Sequence, residues 1–145
     1  MIDSVVIATD GSASVERAVT VALDLANRFD ATVHALYVID DSEIDTAPDS
    51  IRAEFRDALE DAADEALAAV KAGAAGEVVT AIETGRPANV ICEYARDNDI
   101  DVVATGTRGR HGEHRFLLGS VAETVVRRCS VPVLTVRQLE GEASQ

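Results

Sequence analysis

Five short apolar runs rich in Val, Ile and Thr alternate with longer segments whose apolar residues recur at helical spacing, and that alternation leaves few folds open to this chain. The strand-like runs cover residues 4–9, 32–39, 77–83, 101–105 and 131–137. Segment 14–29 sets Val15, Ala18, Val19, Ala22, Leu23 and Ala26 on one helical face. A loop over 40–48 leads to a long helix over 49–73, with Ile51, Phe55, Leu59, Ala62, Ala66, Leu67 and Val70 on one side and Asp49 as its expected N-cap. Residues 87–97 form a third helix that Pro87 suits as a first-turn residue, and residues 120–128 a fourth. Strands apolar on both faces and separated by helices predict a parallel sheet covered on both sides, wound by right-handed crossovers. The expected architecture is α/β, one domain over residues 1–140, with residues 141–145 as a frayed tail.

Composition narrows the function. In 145 residues there are 26 acidic against 13 basic side chains, a formal net charge of −13, and Lys71 is the only lysine. Such a charge excludes nucleic acid and anionic membrane as expected partners. No run of about 18 apolar residues exists to span a bilayer. The N-terminal residues carry no basic segment followed by an apolar run and cleavage site, so the expected location is cytoplasmic. Abundant carboxylates with scarce lysine resemble halophilic proteins, because at about 1 M salt the screening length falls to about 3 Å and neighbouring carboxylates scarcely repel. Cys92 and Cys129 are too few for a disulfide framework; they read as buried free thiols, with a redox pair as the alternative.

The chemistry concentrates at two turns. Ala8-Thr9-Asp10-Gly11-Ser12 follows the first strand, and Gly106-Thr107-Arg108-Gly109 follows the fourth, with Gly119-Ser120 opening the last helix. In open parallel sheets ligands bind beyond the carboxyl ends of strands where the winding reverses. Bare amides at glycines and at a helix N-terminus suit phosphate, and Arg108, Arg110 and Arg115 add positive charge. Neither GxxxxGK[ST] nor GxGxxG is present, so the cradle is of another type. Ser120 and Glu123 also fit a capping box, which addresses the same first-turn amides. His111 and His114 lie at i, i+3 without a third ligand, and no metal site is expected from side chains.

The stretch GTRGRHGEHRFLLGSVAETVVRRCSVPVLTVR resembles the C-terminal signature of the universal stress protein family, in its ATP-binding, haloarchaeal-like branch. Gly106, Gly109, Gly119 and Ser120 match the family spacing Gly-x2-Gly-x9-Gly-(Ser/Thr), and ATDGSASVERAVTVALDLA and ALYVID are similar to its N-terminal half. The resemblance implies a Rossmann-like sheet of the adenine nucleotide alpha hydrolase type, strand order 3-2-1-4-5, holding ATP at the switch point. It implies Asp10 near the adenosine end, Ala8 and Thr9 offering backbone contacts, and Val38 touching adenine. Gly106, Thr107, Arg108, Gly109 and Arg110 would wrap ribose and phosphates, and Gly119, Ser120, Val121 and Ala122 would present the helix N-terminus to the phosphates. A divalent ion, Mg or Mn, would be held mainly by ATP oxygens and water. Ala8 stands where many members have proline, and Arg108 where histidine is common.

Val131-Pro132-Val133-Leu134-Thr135-Val136 is apolar on both faces, and in the implied order it lies at the sheet edge. An exposed apolar edge invites pairing, which predicts a twofold homodimer through this strand. The leading expectation is an ATP-binding stress protein that senses or signals adenine nucleotide state. A slow ATPase or phosphotransferase needs an oriented nucleophile as well as phosphate binding, and no convincing general base is in view, Asp10 being the only acid placed near the crevice. A nucleotide-free dimeric scaffold leaves the glycine spacing unexplained. A phosphorylation receiver domain is excluded, because the third strand runs into Glu83-Thr84-Gly85 and the fifth ends at Arg137 rather than lysine.

Overall fold

The computed structural model describes residues 1–107 and 119–139, so the expected tail lies outside the described residues. The strands are β1 (Ser4–Ala8), β2 (Thr32–Asp40), β3 (Val78–Gly85), β4 (Val102–Gly106) and β5 (Val133–Val136). They form one sheet in the order β3-β2-β1-β4-β5, as expected, and every pairing is parallel. Parallel neighbours cannot be joined by tight hairpins, so each connection crosses over the sheet through a helix. These helices are α1 (Glu16–Phe29), α2 (Asp41–Asp45), α3 (Arg52–Gly73), α4 (Pro87–Asp97) and α5 (Ser120–Arg128).

The period-2 alternation of a strand divides the core into two layers. Val5 and Ile7 of β1 join Ala35, Tyr37 and Ala104 beneath α1 and α3. Val6 and Ala8 turn the other way and join Leu36, Val103, Ile91, Ala95 and Val125 beneath α4 and α5. β1 is therefore buried on both faces, which explains why SVVIA is apolar throughout. Along α3, Leu59, Ala63, Ala66, Leu67 and Val70 are the buried stripe, and the exposed side carries Asp57, Glu60, Asp61, Asp64 and Glu65.

The structure corrects four local expectations. Asp49 does not cap α3. It lies in a 3₁₀ turn (Asp49–Ile51) and pairs with Arg52 at 3.0 Å, while Arg52 also donates to the carbonyls of Asp45 and Ala47. The loop after β2 contains α2, whose N-cap Asp40 accepts from the Ser42 amide; five residues are too few for a helical period to be read from sequence. The last strand is shorter than 131–137, since Pro132 has no N–H to donate and enters the ladder only as an acceptor from Val103. Cys92 and Cys129 are neither buried nor free. α4 and α5 pack on the same face and bring their Cα atoms to 5.1 Å, where the two half-buried cysteines form a disulfide.

Candidate functional site at the sheet switch point

The winding reverses between β1 and β4. α1, which follows β1, covers one face of the sheet and α5 covers the other, so the turn after β1 and Gly106 at the end of β4 lie at the carboxyl-end switch point, where open parallel sheets bind ligands. β2 forms one wall. Ala8 is in register with Leu36, so β2 continues four residues beyond β1 to Asp40. Val38 stands on that extension, half-buried, roughly 7 Å above the level of Ala8 at strand rise.

The first turn is held by its own side chains. Thr9 extends the ladder by donating its amide to Leu36 at 3.0 Å, and its hydroxyl oxygen accepts from the Gly11 amide at 3.1 Å. Asp10 Oδ1 accepts from the Ser12 amide at 2.9 Å and from the Ser12 hydroxyl at 2.6 Å, closing an Asx turn. Gly11 has φ +77°, and a Cβ there would stand 3.3 Å from the Ala66 Cβ on α3. Both the left-handed conformation and the close approach favour glycine.

The second turn brings a helix end to the fourth strand. Gly119 donates its amide to the Thr107 carbonyl at 2.6 Å, so the two ends of the intervening segment meet. Gly119 is the N-cap of α5, in extended conformation, and among the described residues no side chain caps the helix. The expected capping box is absent for that reason: Ser120 is the first helical residue, one position too late to cap, and Glu123 pairs instead with Arg127 at 2.9 Å. Ser120 is exposed, Val121 half-buried and Ala122 buried, so the latter two can address a ligand only through the backbone. The end of α5 thus keeps the partial positive charge of its first-turn amides.

The structure gathers Ala8, Thr9, Asp10 and Val38 on one side of the switch point and Gly106, Thr107, Gly119 and Ser120 on the other. Arg108, Gly109 and Arg110 lie outside the described residues, as do His111, His114 and Arg115. Among the described residues no group of three or more His, Cys, Asp or Glu side chains could hold a metal ion, and no helix is long and apolar enough to cross a membrane. Two supporting residues carried no sequence signal. Gln138, almost fully buried, accepts the Arg17 amide at 3.0 Å through its side-chain oxygen, and Arg17 in turn donates to the Arg137 carbonyl at 2.9 Å. Together they fasten the first turn of α1, and so the Asp10 turn, to the end of β5. A separate groove of 870 Å³ starts at Thr9 and Asp10 but runs between α1 and α3, away from Gly106 and Gly119.

The model of the universal stress protein family matches residues 1–137. A universal stress protein of Methanocaldococcus jannaschii is 38% identical over 142 residues, spanning 95% of this chain and 84% of the relative. Universal stress protein UspA from Lactobacillus plantarum superposes with a TM-score of 0.78 at 28% identity, covering 93% of this chain and 97% of that one. A crystal structure of a universal stress protein in complex with cAMP superposes with a TM-score of 0.71 at 26% identity, covering 95% and 98%.

Proposed function

This chain belongs to the universal stress protein family, and we propose that it is a cytoplasmic ATP-binding member that senses or signals adenine nucleotide state under stress. The observation that carries the proposal is the uncapped N-terminus of α5, held against the end of β4 and facing the Asp10 turn across the switch point. A helix end with no side-chain cap among the described residues retains donors for an anion, and the Gly106, Gly109, Gly119, Ser120 spacing in the sequence supports a phosphate as that anion. The cAMP complex of a family member supports an adenine nucleotide as the ligand class.

In this reading Val38 packs on adenine and Asp10 turns toward the adenosine end, flanked by the backbone of Ala8 and Thr9. Gly106, Thr107, Arg108, Gly109 and Arg110 wrap the ribose and phosphates, and Gly119, Ser120, Val121 and Ala122 present α5. Among the described residues no side-chain cluster could hold a divalent ion, so Mg or Mn would be held by the phosphate oxygens and water. Asp10 Oδ1 already accepts two hydrogen bonds within its turn, which favours a binding role over that of a general base. The edge strand β5 pairs with its copy to make the homodimer.

Mass spectrometry of nucleotide released on denaturing protein purified in high salt tests the proposal, alongside calorimetry with ATP and magnesium. ATP should be released, and Gly109→Asp and Ser120→Ala should bind it more weakly. No released nucleotide together with no binding heat defeats the reading. Light scattering at micromolar concentration in high salt should report a dimer, and a monomer removes the edge-pairing claim.

A further inference from the structure

Cys92 and Cys129 are the only cysteines in the chain, and the disulfide between them joins the middle of α4 to the C-cap of α5. Both are only half-buried, whereas Ile91, Ala95 and Val125 on the same two helices are buried. A domain with so extensive a core does not depend on a covalent staple to fold. The bridge also doubles an existing tether. Arg128 donates to the Asn89 side-chain oxygen at 3.0 Å, and Asn89 and Cys92 share one face of α4 at i, i+3. Two adjacent links therefore fix the same end of α5, one covalent and one exposed and polar.

α5 has nine residues, a rod roughly 13 Å long, with Gly119 and Ser120 at one end and Cys129 at the other. Its N-terminal end is fixed by the Gly119 to Thr107 hydrogen bond and its middle by buried Ala122 and Val125. On so short a helix, loosening the distal anchor is felt at the first turn.

We propose that Cys92 and Cys129 form a reversible thiol–disulfide site that exchanges with low-molecular-weight thiols and disulfides, and whose state sets how firmly α5 presents its first-turn amides. In the oxidising direction one cysteine thiolate attacks a sulfur of a small disulfide, forming a mixed disulfide and expelling one thiolate. The second cysteine thiolate then attacks the protein-bound sulfur, closes the Cys92–Cys129 bond and expels the other. The two thiol protons pass to the expelled thiolates; the protein loses two electrons and the small disulfide becomes two thiols. Excess thiol runs the same steps backward. The consequence for ligand affinity rests on the nucleotide reading above; the exchange chemistry does not.

The test uses the full chain equilibrated in glutathione buffers of graded thiol-to-disulfide ratio, with free thiols trapped by alkylation and counted by mass spectrometry. The pair should titrate reversibly as one two-electron step. Hydrogen exchange should then quicken at the amides of residues 120–129 on reduction and stay unchanged in β1 and β2. ATP–magnesium affinity should fall about fivefold on reduction, a modest coupling, in the native chain but not in Cys92→Ser. A pair that stays reduced in oxidised glutathione, or cannot be reduced by excess thiol, overturns the site. Unchanged exchange in α5 overturns its link to the helix. If neither redox state binds ATP, the nucleotide reading fails while the thiol count and α5 exchange still decide the redox claim.

Discussion

The amide of Gly119 donates to the carbonyl of Thr107 at 2.6 Å, joining the N-cap of α5 to the end of β4. This contact presents an uncapped helix end at the switch point, and substituting the N-cap separates stability from binding. Gly119→Asp supplies a carboxylate to the first-turn amides and should leave the fold as stable or a few tenths of a kcal/mol more so. The same carboxylate fills the place proposed for phosphate. Losing charge-assisted hydrogen bonds worth about 1.5–3 kcal/mol weakens ATP binding roughly ten- to a hundredfold. Urea denaturation and calorimetry on one preparation should show the two effects diverging.

Gly11 should not accept a side chain. With φ +77° and the Ala66 Cβ 3.3 Å from the place of a new methyl, Gly11→Ala combines left-handed strain with crowding against α3. The expected loss is about 1–3 kcal/mol, read as a lower urea midpoint at unchanged slope.

Asp101 ties the start of β1 to the entry of β4. Its carboxylate accepts from the Asp3 amide at 2.7 Å and the Ser4 amide at 3.0 Å. The Asp3 amide is the main cause holding its pKa below the ordinary value of 3.8; partial desolvation opposes this, and the Ser4 amide reinforces it. A carboxylate whose folded pKa is depressed stabilises above its unfolded value and loses that contribution as pH falls through the folded one. Acid titration of stability in Asp101→Asn should therefore lack part of the fall seen in the native chain below about pH 4.

His34 and Tyr94 form a second pH-sensitive contact, with Nδ1 and the phenolic oxygen 2.7 Å apart and the rings edge to face. Burial lowers the His34 pKa below 6.5, and burial followed by the charge of Glu83 raises that of Tyr94 above 10.0. Both shifts favour the neutral pair, joined by a hydrogen bond between Nδ1 and the phenolic oxygen. The unfolded chain takes up a proton at His34 first as pH falls below about 6.5, so stability declines from there down to the folded pKa. His34→Gln should flatten that part of the profile. Tyr94→Phe should keep it while losing about 1 kcal/mol at neutral pH.

Salt should matter more than usual. The exposed side of α3 sets Asp57 and Asp61, and Asp61 and Glu65, at i, i+4 with no lysine between them. Like charges at that spacing repel until screened. Moving from molar to millimolar potassium chloride should lower the melting temperature sharply, and Asp61→Lys should reduce the drop. An unchanged melting curve removes the halophilic reading.

Much of this molecule was legible from local sequence. Short β-branched apolar runs marked all five strands, and apolar spacing placed α4 and α5 at their observed bounds, because a helix buried on a fixed face must repeat its apolar residues at its own period. Glycine and aspartate at the β1 turn showed where the chain could bend and offer bare amides. Tertiary structure alone decided what distant segments do to one another. The pairing of Cys92 with Cys129 bridges a separation of 37 residues, and depends on α4 and α5 lying side by side. The seating of Gln138 on the Arg17 amide spans 121 residues, and neither residue type signals it. The cap of α5 was misread by one position, since Ser120-Val121-Ala122-Glu123 satisfies a local rule whose use depends on where Thr107 holds Gly119. Local periodicity is set by which face is buried; contacts between elements are set by how the sheet stacks them, and a single chain carries no period for that.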